Sequence, residues 1–490
     1  MGRDQSERGG AELMGAAFPI PLSSGQVSSV DTMSEAPPEV TNWQVDASGI
    51  NRPRPSLVTY STTGLGTSPL IGLHVWRTWV IGVTQDRKIW ALLESAPTVW
   101  IALTDTTDAT TTTNTSLDGG TRPIFAEDGL RVVIAGGGAI QVWTGAGYSA
   151  RLGGGPLATH IASLGSRFIG DNLAFPQEWD WSNLGDGAHA TWSALDFTTA
   201  DARPDNVVAI HENLREAFVF GETTTQVYSV SADPFSPFSN VVSANVGTTA
   251  PYSIIRMDES FAFLDDKRRF VLSDGRGVQV LSDAISKDLR ALTTVSDCWG
   301  YREDLQNYTN IVWTYPTAGR TFVYDTDRKA WGERKYYSAG FQVAMPQGCY
   351  VYWPALNLHL LGSTTTGALY QLDADTRSDL TGTLLCDRTS GIHDMGTGKR
   401  KRDQRLLLTI RRGTVGLGEV DSQMEVRVRD DQGAWSDWDT TDLGEPSDAE
   451  QTVQLRIGGV FRRRQYQFRY SGTHEISLIS AVQEFQELAS

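Results

Sequence analysis

Residues able to carry chemistry are thinly spread along this chain. The seven histidines are His74, His160, His189, His211, His359, His393 and His474. They are the first candidates for acid–base work or metal ligation. The closest pair, His189 and His211, stands 22 residues apart, so no HExxH spacing puts two imidazoles on one helix face. No GxSxG elbow, Walker loop or dinucleotide fingerprint is present. The glycine triplets at 136–138 and 153–155 lack the following helix and lysine that phosphate cradling needs, and they read as turns between strands. The run DADTRSDLTG sets Asp373, Asp375 and Asp379 at calcium-loop spacing. Ser378 then stands where the sharp-turn glycine belongs, and Leu384 where the bidentate glutamate belongs. The hairpin DDQGAWSDW is similar to the aspartate box of sialidases but one residue short; its Asp and Gly suit a tight turn. No catalytic residue, cofactor site or metal site is assigned, and the chain is expected not to be an enzyme.

Two basic clusters remain. Lys399, Arg400, Lys401, Arg402 and Arg405 form one, and Arg462, Arg463 and Arg464 the other. They stand out against an acidic chain of 490 residues with 42 Lys and Arg, 58 Asp and Glu, and a net charge of −16. Residues 381–490 hold 15 basic and 17 acidic side chains, while residues 1–380 hold 27 and 41. The acidic excess therefore lies almost wholly before 381. Such a balance argues against a general nucleic-acid coat, which is ordinarily basic. The clusters read either as a solvated loop and sheet face or as a docking surface for an acidic partner.

The composition is that of a large folded chain. Hydrophobic residues make up 40%, charged residues 20%, and there are 48 glycines; disordered and coiled-coil chains carry more charge and less glycine. Cys298, Cys349 and Cys386 cannot all pair, and no CxxC exists, so a reducing compartment is expected. No apolar run approaches the roughly 18 residues of a membrane span. The start, MGRDQSERGG, lacks the apolar stretch of a secretory signal, although Gly2 and Ser6 fit the loose myristoylation pattern.

What must position these side chains is a β-structure. Short apolar runs recur as RTWVIGVT, LRVVIAGG, SRFIGDNL, EAFVFGET, ESFAFLDD, TNIVWTYP and NLHLLGST. One central residue from each gives Val80, Val133, Phe168, Val219, Ala262, Val312 and Leu360, spaced on average about 47 apart, within the period of propeller blades. After most of them comes a second strand with an aromatic, as in KIWAL, IQVWTG, QVYSV, FVYDT and ALYQL. A single blade cannot bury both its faces; several around an axis can. A large sandwich of hairpins would show the same strands, but persistence through seven units favours the propeller. One helix is expected in AISKDLRAL, with Ile285, Leu289 and Leu292 on one face. From about 380 the strands lengthen and alternate strictly, as in MEVRVRD, where Val426 and Val428 oppose Arg427 and Arg429.

The expected fold is therefore all-β: a β-propeller of six to seven blades over 71–380, with a β-sheet platform formed by 381–490 and part of the N-terminal region. Residues 43–70 are read as connecting strands that form part of the platform. Residues 1–42 are read as an extended arm that orders on assembly, with Phe18, Ile20 and Leu22 anchoring it to a neighbour and Pro19 and Pro21 keeping it extended. The stretch TDTTDATTTTNTS is read as an exposed loop.

The region from about 160 to 335 resembles the packaged-DNA stabilisation proteins of short-tailed bacteriophages, also described as tail-hub or tail-nozzle proteins. The likeness rests on WSNLGDGAHATWSALDFTTADARPDNVVAI, FVFGETTTQVYSV, DPFSPF, APYSIIRMDES and FVYDTDRKAWGER. Within them the matching residues are Ser182, Leu184, Trp192, Leu195, Asp196, Phe197, Ala200 and Asp205, then Phe220, Gly221, Glu222, Thr223 and Tyr228, then Pro251, Tyr252 and Ser253. The resemblance implies a structural virion protein assembled in the host cytoplasm. It would form a homo-hexameric ring in the tail, below a dodecameric head-to-tail adaptor and beside tail spikes or fibres and a plug or needle. Such a ring would retain packaged DNA and conduct it on ejection without reading its sequence. The basic clusters then become candidates for docking the ring to the adaptor, and the acidic excess a candidate lining for its channel. The alternatives from other classes are a glycan-binding or sialidase-like propeller and an intracellular propeller scaffold.

Overall fold

The computed structural model describes residues 16–22, 39–45, 50–103, 116–145, 150–151, 155–184, 192–200, 205–233, 235–305, 308–412, 423–443, 447–472 and 474–488. The polar stretch at 104–115, His189, Gly2, Ser6 and most of the expected arm lie outside them.

The apolar runs become the second strands of four-stranded antiparallel meanders. All seven marker residues fall there: Val80 in Trp79–Thr84, Val133 in Val132–Ala135, Phe168 in Arg167–Asp171, Val219 in Glu216–Gly221, Ala262 in Phe261–Leu264, Val312 in Tyr308–Tyr315 and Leu360 in Leu358–Ser363. These strands are apolar on both faces because each is sandwiched between two neighbouring sheets. Successive side chains point to opposite faces, so each strand feeds two cores. Val80 packs with Leu360 and Leu369 of the last unit, whereas Ile81 and Val83 pack with Val132 and Ile134 of the second. Val133 and Ala135 meet Phe168. Ile169 meets Val219, while Phe218 and Phe220 meet Phe261 and Phe263. Ala262 and Leu264 meet Ile311 and Trp313, and Val312 meets Leu361. Among the described residues, seven inter-sheet cores close a ring.

Six of the units are free-standing four-stranded sheets. The remaining one, built from Trp299–Leu305, Tyr308–Tyr315, Arg320–Asp325 and Ala330–Arg334, continues into a nine-stranded sheet through Glu39–Thr41, which runs parallel to Ala330–Arg334. The six-to-seven expectation thus resolves as six self-contained blades and one shared with the platform. The last blade is closed by Ser56–Tyr60, paired antiparallel to Leu369–Asp373 from Leu369↔Tyr60 to Asp373↔Ser56. Among the described residues of 43–70, therefore, Trp43–Val45 and Asn51–Pro53 join the platform, and Ser56–Tyr60 belongs to the propeller. The expected helix forms as a short turn, Asp283–Ile285, followed by Ser286–Ala291, with Leu289 and Leu292 buried.

The platform is two packed sheets. One centres on the long strands Lys401–Arg412 and Ile476–Glu487; the other contains Cys386–Thr389, Gln423–Asp430, Asp439–Asp442 and Arg464–Tyr470. Met424, Val426, Val428, Leu406, Leu408, Ile410, Tyr466 and Phe468 fill the space between. Ala16–Ile20 pairs antiparallel with the last strand, from Ala16↔Phe485 to Ile20↔Ala481. Where the arm is described it is a platform strand of its own chain, because alternate side chains reach an apolar core already present there: Ile20 and Leu22 are buried in it and Phe18 packs on it.

Candidate functional site

The two basic clusters, separated by some sixty residues of sequence, meet at one end of the platform. The short strand Val460–Phe461 pairs with the start of Lys401–Arg412 through Lys401↔Phe461 and Arg402↔Val460. The side chains at this junction then divide by burial. Lys401 is fully buried, and its Nζ donates to the carbonyls of Thr397 (2.6 Å), Lys399 (3.0 Å) and Arg462 (2.8 Å). Burial lowers its pKa from the ordinary lysine value. Arg464 is fully buried over the Phe461 ring at 3.9 Å, bonded twice to Asp430 at 2.7 and 2.9 Å, and 3.6 Å from Asp403. These two residues cannot present charge to a partner. They satisfy carbonyls and carboxylates inside the fold, a correction to their expected place in a docking surface.

The others remain at the surface. Lys399 pairs with Glu487 at 3.0 Å, and Arg405 with Glu484, where Nη2 lies 3.1 Å from Oε1. Arg400, Arg402, Arg462 and Arg463 are exposed. The backbone N–H groups of Arg462 and Arg463 both donate to Asp431 Oδ1, at 3.0 and 2.8 Å, which fixes the turn that carries them. The result is a small cationic group on a rigid turn.

The aspartate-box-like hairpin does something else. Its Trp435 and Trp438 alternate with arginines from the outer sheet face: Arg429 lies 5.2 Å and Arg427 4.9 Å from the Trp435 ring, and Arg427 lies 4.4 Å and Arg469 4.2 Å from the Trp438 ring. This stack covers the wet face that the strand alternation required. In the calcium-like run, Asp373 and Asp379 are engaged internally. Asp373 accepts from the N–H of Asp375 and Thr376, and Asp379 from Arg54 and the N–H of Leu57. Among the described residues, no group of three or more His, Cys, Asp or Glu is placed to hold a metal ion.

Sequence reading missed a junction where propeller meets platform. Arg54, buried and paired with Asp379, also donates to Asn42 Oδ1 at 2.9 Å and to the Pro55 carbonyl at 2.8 Å. Asn42 in turn donates to the carbonyls of Lys335 (2.9 Å) and Leu385 (2.7 Å). Nothing local in the sequence marks these residues; only the φ of +59° at Asn42 suits that residue type over most others. Some of the residues that carried the family likeness are stitches within and between blades. Asp205 accepts from the N–H of Glu222, Thr223 and Thr224 and from the hydroxyls of Thr223 and Thr224. These bonds hold its carboxyl below the usual range although burial opposes them. Ser253 takes the Trp313 indole N–H on its carbonyl at 2.9 Å, across two blades.

Comparison with solved structures returns matches of remote sequence. The computationally designed Ika8 protein aligns at 11% identity over 65% of this chain and 99% of its own, with a TM-score of 0.36. Hsv2 of Kluyveromyces lactis aligns at 9% over 60% and 97%, TM-score 0.35. BBS1N, solved in complex with ARL6DN, aligns at 11% over 66% and 98%, TM-score 0.38. At such scores none of them bears on fold or function. No curated protein matches. A family model does: that of the bacteriophage P22 Gp10 β-propeller matches residues 106–377, which takes in every blade after the first except the closing strand Ser56–Tyr60 of the last. The chain belongs to this family and is a phage structural protein, a component of the virion.

Proposed function

We propose that the protein is the ring-forming hub or nozzle of a short phage tail: a homo-hexamer that extends the portal–adaptor channel, retains packaged DNA and conducts it on ejection. One observation carries the docking part of this reading. Arg400, Arg402, Arg462 and Arg463 converge, exposed, on one end of the platform of an otherwise acidic chain. Exposed charges steer and register a partner more than they bind it, and each ion pair contributes only about 0.2–1 kcal/mol. Repetition around a ring multiplies the weak contacts. The acidic excess of residues 1–380 suits the channel, since a lumen of like charge lets DNA phosphates slide rather than stick.

The test replaces Arg402, Arg462 and Arg463 with Glu and leaves the buried Arg464 untouched. The expected result is a folded subunit, forming rings in negatively stained images, that fails to attach to DNA-filled heads lacking their tails, so that DNA leaks from them. Attachment at physiological salt equal to that of the unaltered protein would overturn the docking role. A subunit that stays monomeric at high concentration with or without heads would overturn the ring.

A further inference from the structure

A cavity of about 570 Å³ occupies the propeller axis, within the range of small-ligand sites. Residues from the first strand of every blade, or from just before it, line the cavity; they include Leu73, Phe125, Ser163, His211, Arg256, Trp299 and Tyr350. Its charged groups are paired at one end of the axis and not at the other. At the ends of the first strands, Glu127 lies 3.6 Å from His74, and Glu212 is paired with Arg256 at 3.1 Å, so both carboxylates there have cationic or titratable partners. At the opposite end, five residues before Glu127 and so about 15 Å away at strand rise, sits Arg122. Its guanidinium stacks over the Trp299 ring at 4.7 Å and donates to the Gly348 carbonyl. Among the described residues no carboxylate pairs with it. Tyr252 flanks it, with the His160 ring stacked 5.4 Å behind. A guanidinium walled by low-dielectric aromatic rings and lacking a counter-charge is costly on its own. It offers two-pronged recognition of an acid group and a flat surface for what is attached to it.

We propose that the bore of the propeller is a binding site for a small organic anion with a flat apolar body, its acid group on Arg122 and its body against Tyr252. The site is independent of the ring and of docking, since it lies within one subunit. The test is calorimetric titration of the full-length protein with benzoate, acetate and inorganic phosphate at one ionic strength. Saturable benzoate binding, tighter than that of acetate or phosphate, is expected. Arg122→Gln should weaken it by about tenfold or more, the scale of a lost charged hydrogen-bond pair. Ser163→Phe keeps the charge and fills the bore, so it should also weaken binding, and it decides the matter if Arg122→Gln fails to fold. Arg402→Ala, on the platform, should bind as the unaltered protein does. The proposal is overturned by the absence of saturable benzoate binding, by binding unchanged in the folded variants, or by phosphate and acetate binding as tightly as benzoate.

Discussion

Arg54 and Asp379 show how this chain uses its many arginines. Their side chains are 2% and 1% exposed, so removing one partner strands a charge in the interior. Arg54→Met is expected to destabilise the fold by about 3–5 kcal/mol. Arg302, paired with Asp258 and Asp304 at the surface, should cost only about 0–1 kcal/mol when changed to Ala. Urea unfolding of the two variants checks the contrast; equal losses would contradict it. A second prediction concerns pH. Burial, with His211 nearby, pushes the pKa of His160 down from 6.5 to about 3. Above pH 6.5 both folded and unfolded forms carry the neutral ring. Below it the unfolded chain takes up the proton first, so stability falls as pH drops toward 3, at about 1.4 kcal/mol per unit. Asp171 and Asp180, raised to about 6 mainly by burial, act oppositely over the same window, because the folded state holds their protons longer. His160→Phe isolates the first effect. Between pH 7 and pH 5 the unaltered protein should lose about 2 kcal/mol more than this variant; parallel stability curves would refute the assignment.

At the scale of elements, the closing strand Ser56–Tyr60 bears on the whole ring, since it joins the start of the chain to the last blade. Leu57 is fully buried between the sixth and seventh units. Leu57→Ala is expected to cost about 2–5 kcal/mol, and hydrogen exchange should speed up in Leu369–Asp373, its ladder partner. Faster exchange confined to the platform would place the strand wrongly. Ala16–Ile20 gives a complementary expectation. Because it pairs with Ile476–Glu487 of its own chain, limited proteolysis of the isolated subunit should spare residues 16–22. Cleavage there before assembly, lost in assembled particles, would restore the arm as an element that only a neighbour orders.

For the whole molecule, the basic end of the platform separates into residues that hold the fold and residues free to meet a partner. Arg464→Met should lower stability by several kcal/mol, since it leaves Asp430 and Asp403 without their charge partner. Arg462→Glu and Arg463→Glu should leave the melting temperature nearly unchanged while slowing attachment to heads, most of all at low salt, where steering is strongest. A melting temperature that fell alike in all three variants would remove the distinction on which the docking surface rests.

The propeller was legible in the sequence because its strands are buried on both faces, which forces uninterrupted apolar runs at a regular period, and Val80 through Leu360 all fell on second strands. The alternation in MEVRVRD likewise named its core side, since a strand buried on one face must alternate. The family, too, was readable, through local stitches such as Asp205 with Thr223 and Thr224 that lie within twenty residues of one another. Three things were decided only by tertiary structure. Whether Lys401 or Arg464 is free depends on carbonyls and carboxylates brought from elsewhere in the chain. Whether Phe18, Ile20 and Leu22 need a neighbour depends on a core built from Val40, Trp43 and residues between 384 and 485. Whether Arg122 meets a carboxylate depends on which strands surround the axis. Each is a matter of long-range neighbours, and a charge or an apolar side chain reads the same in sequence whether its partner is present or not.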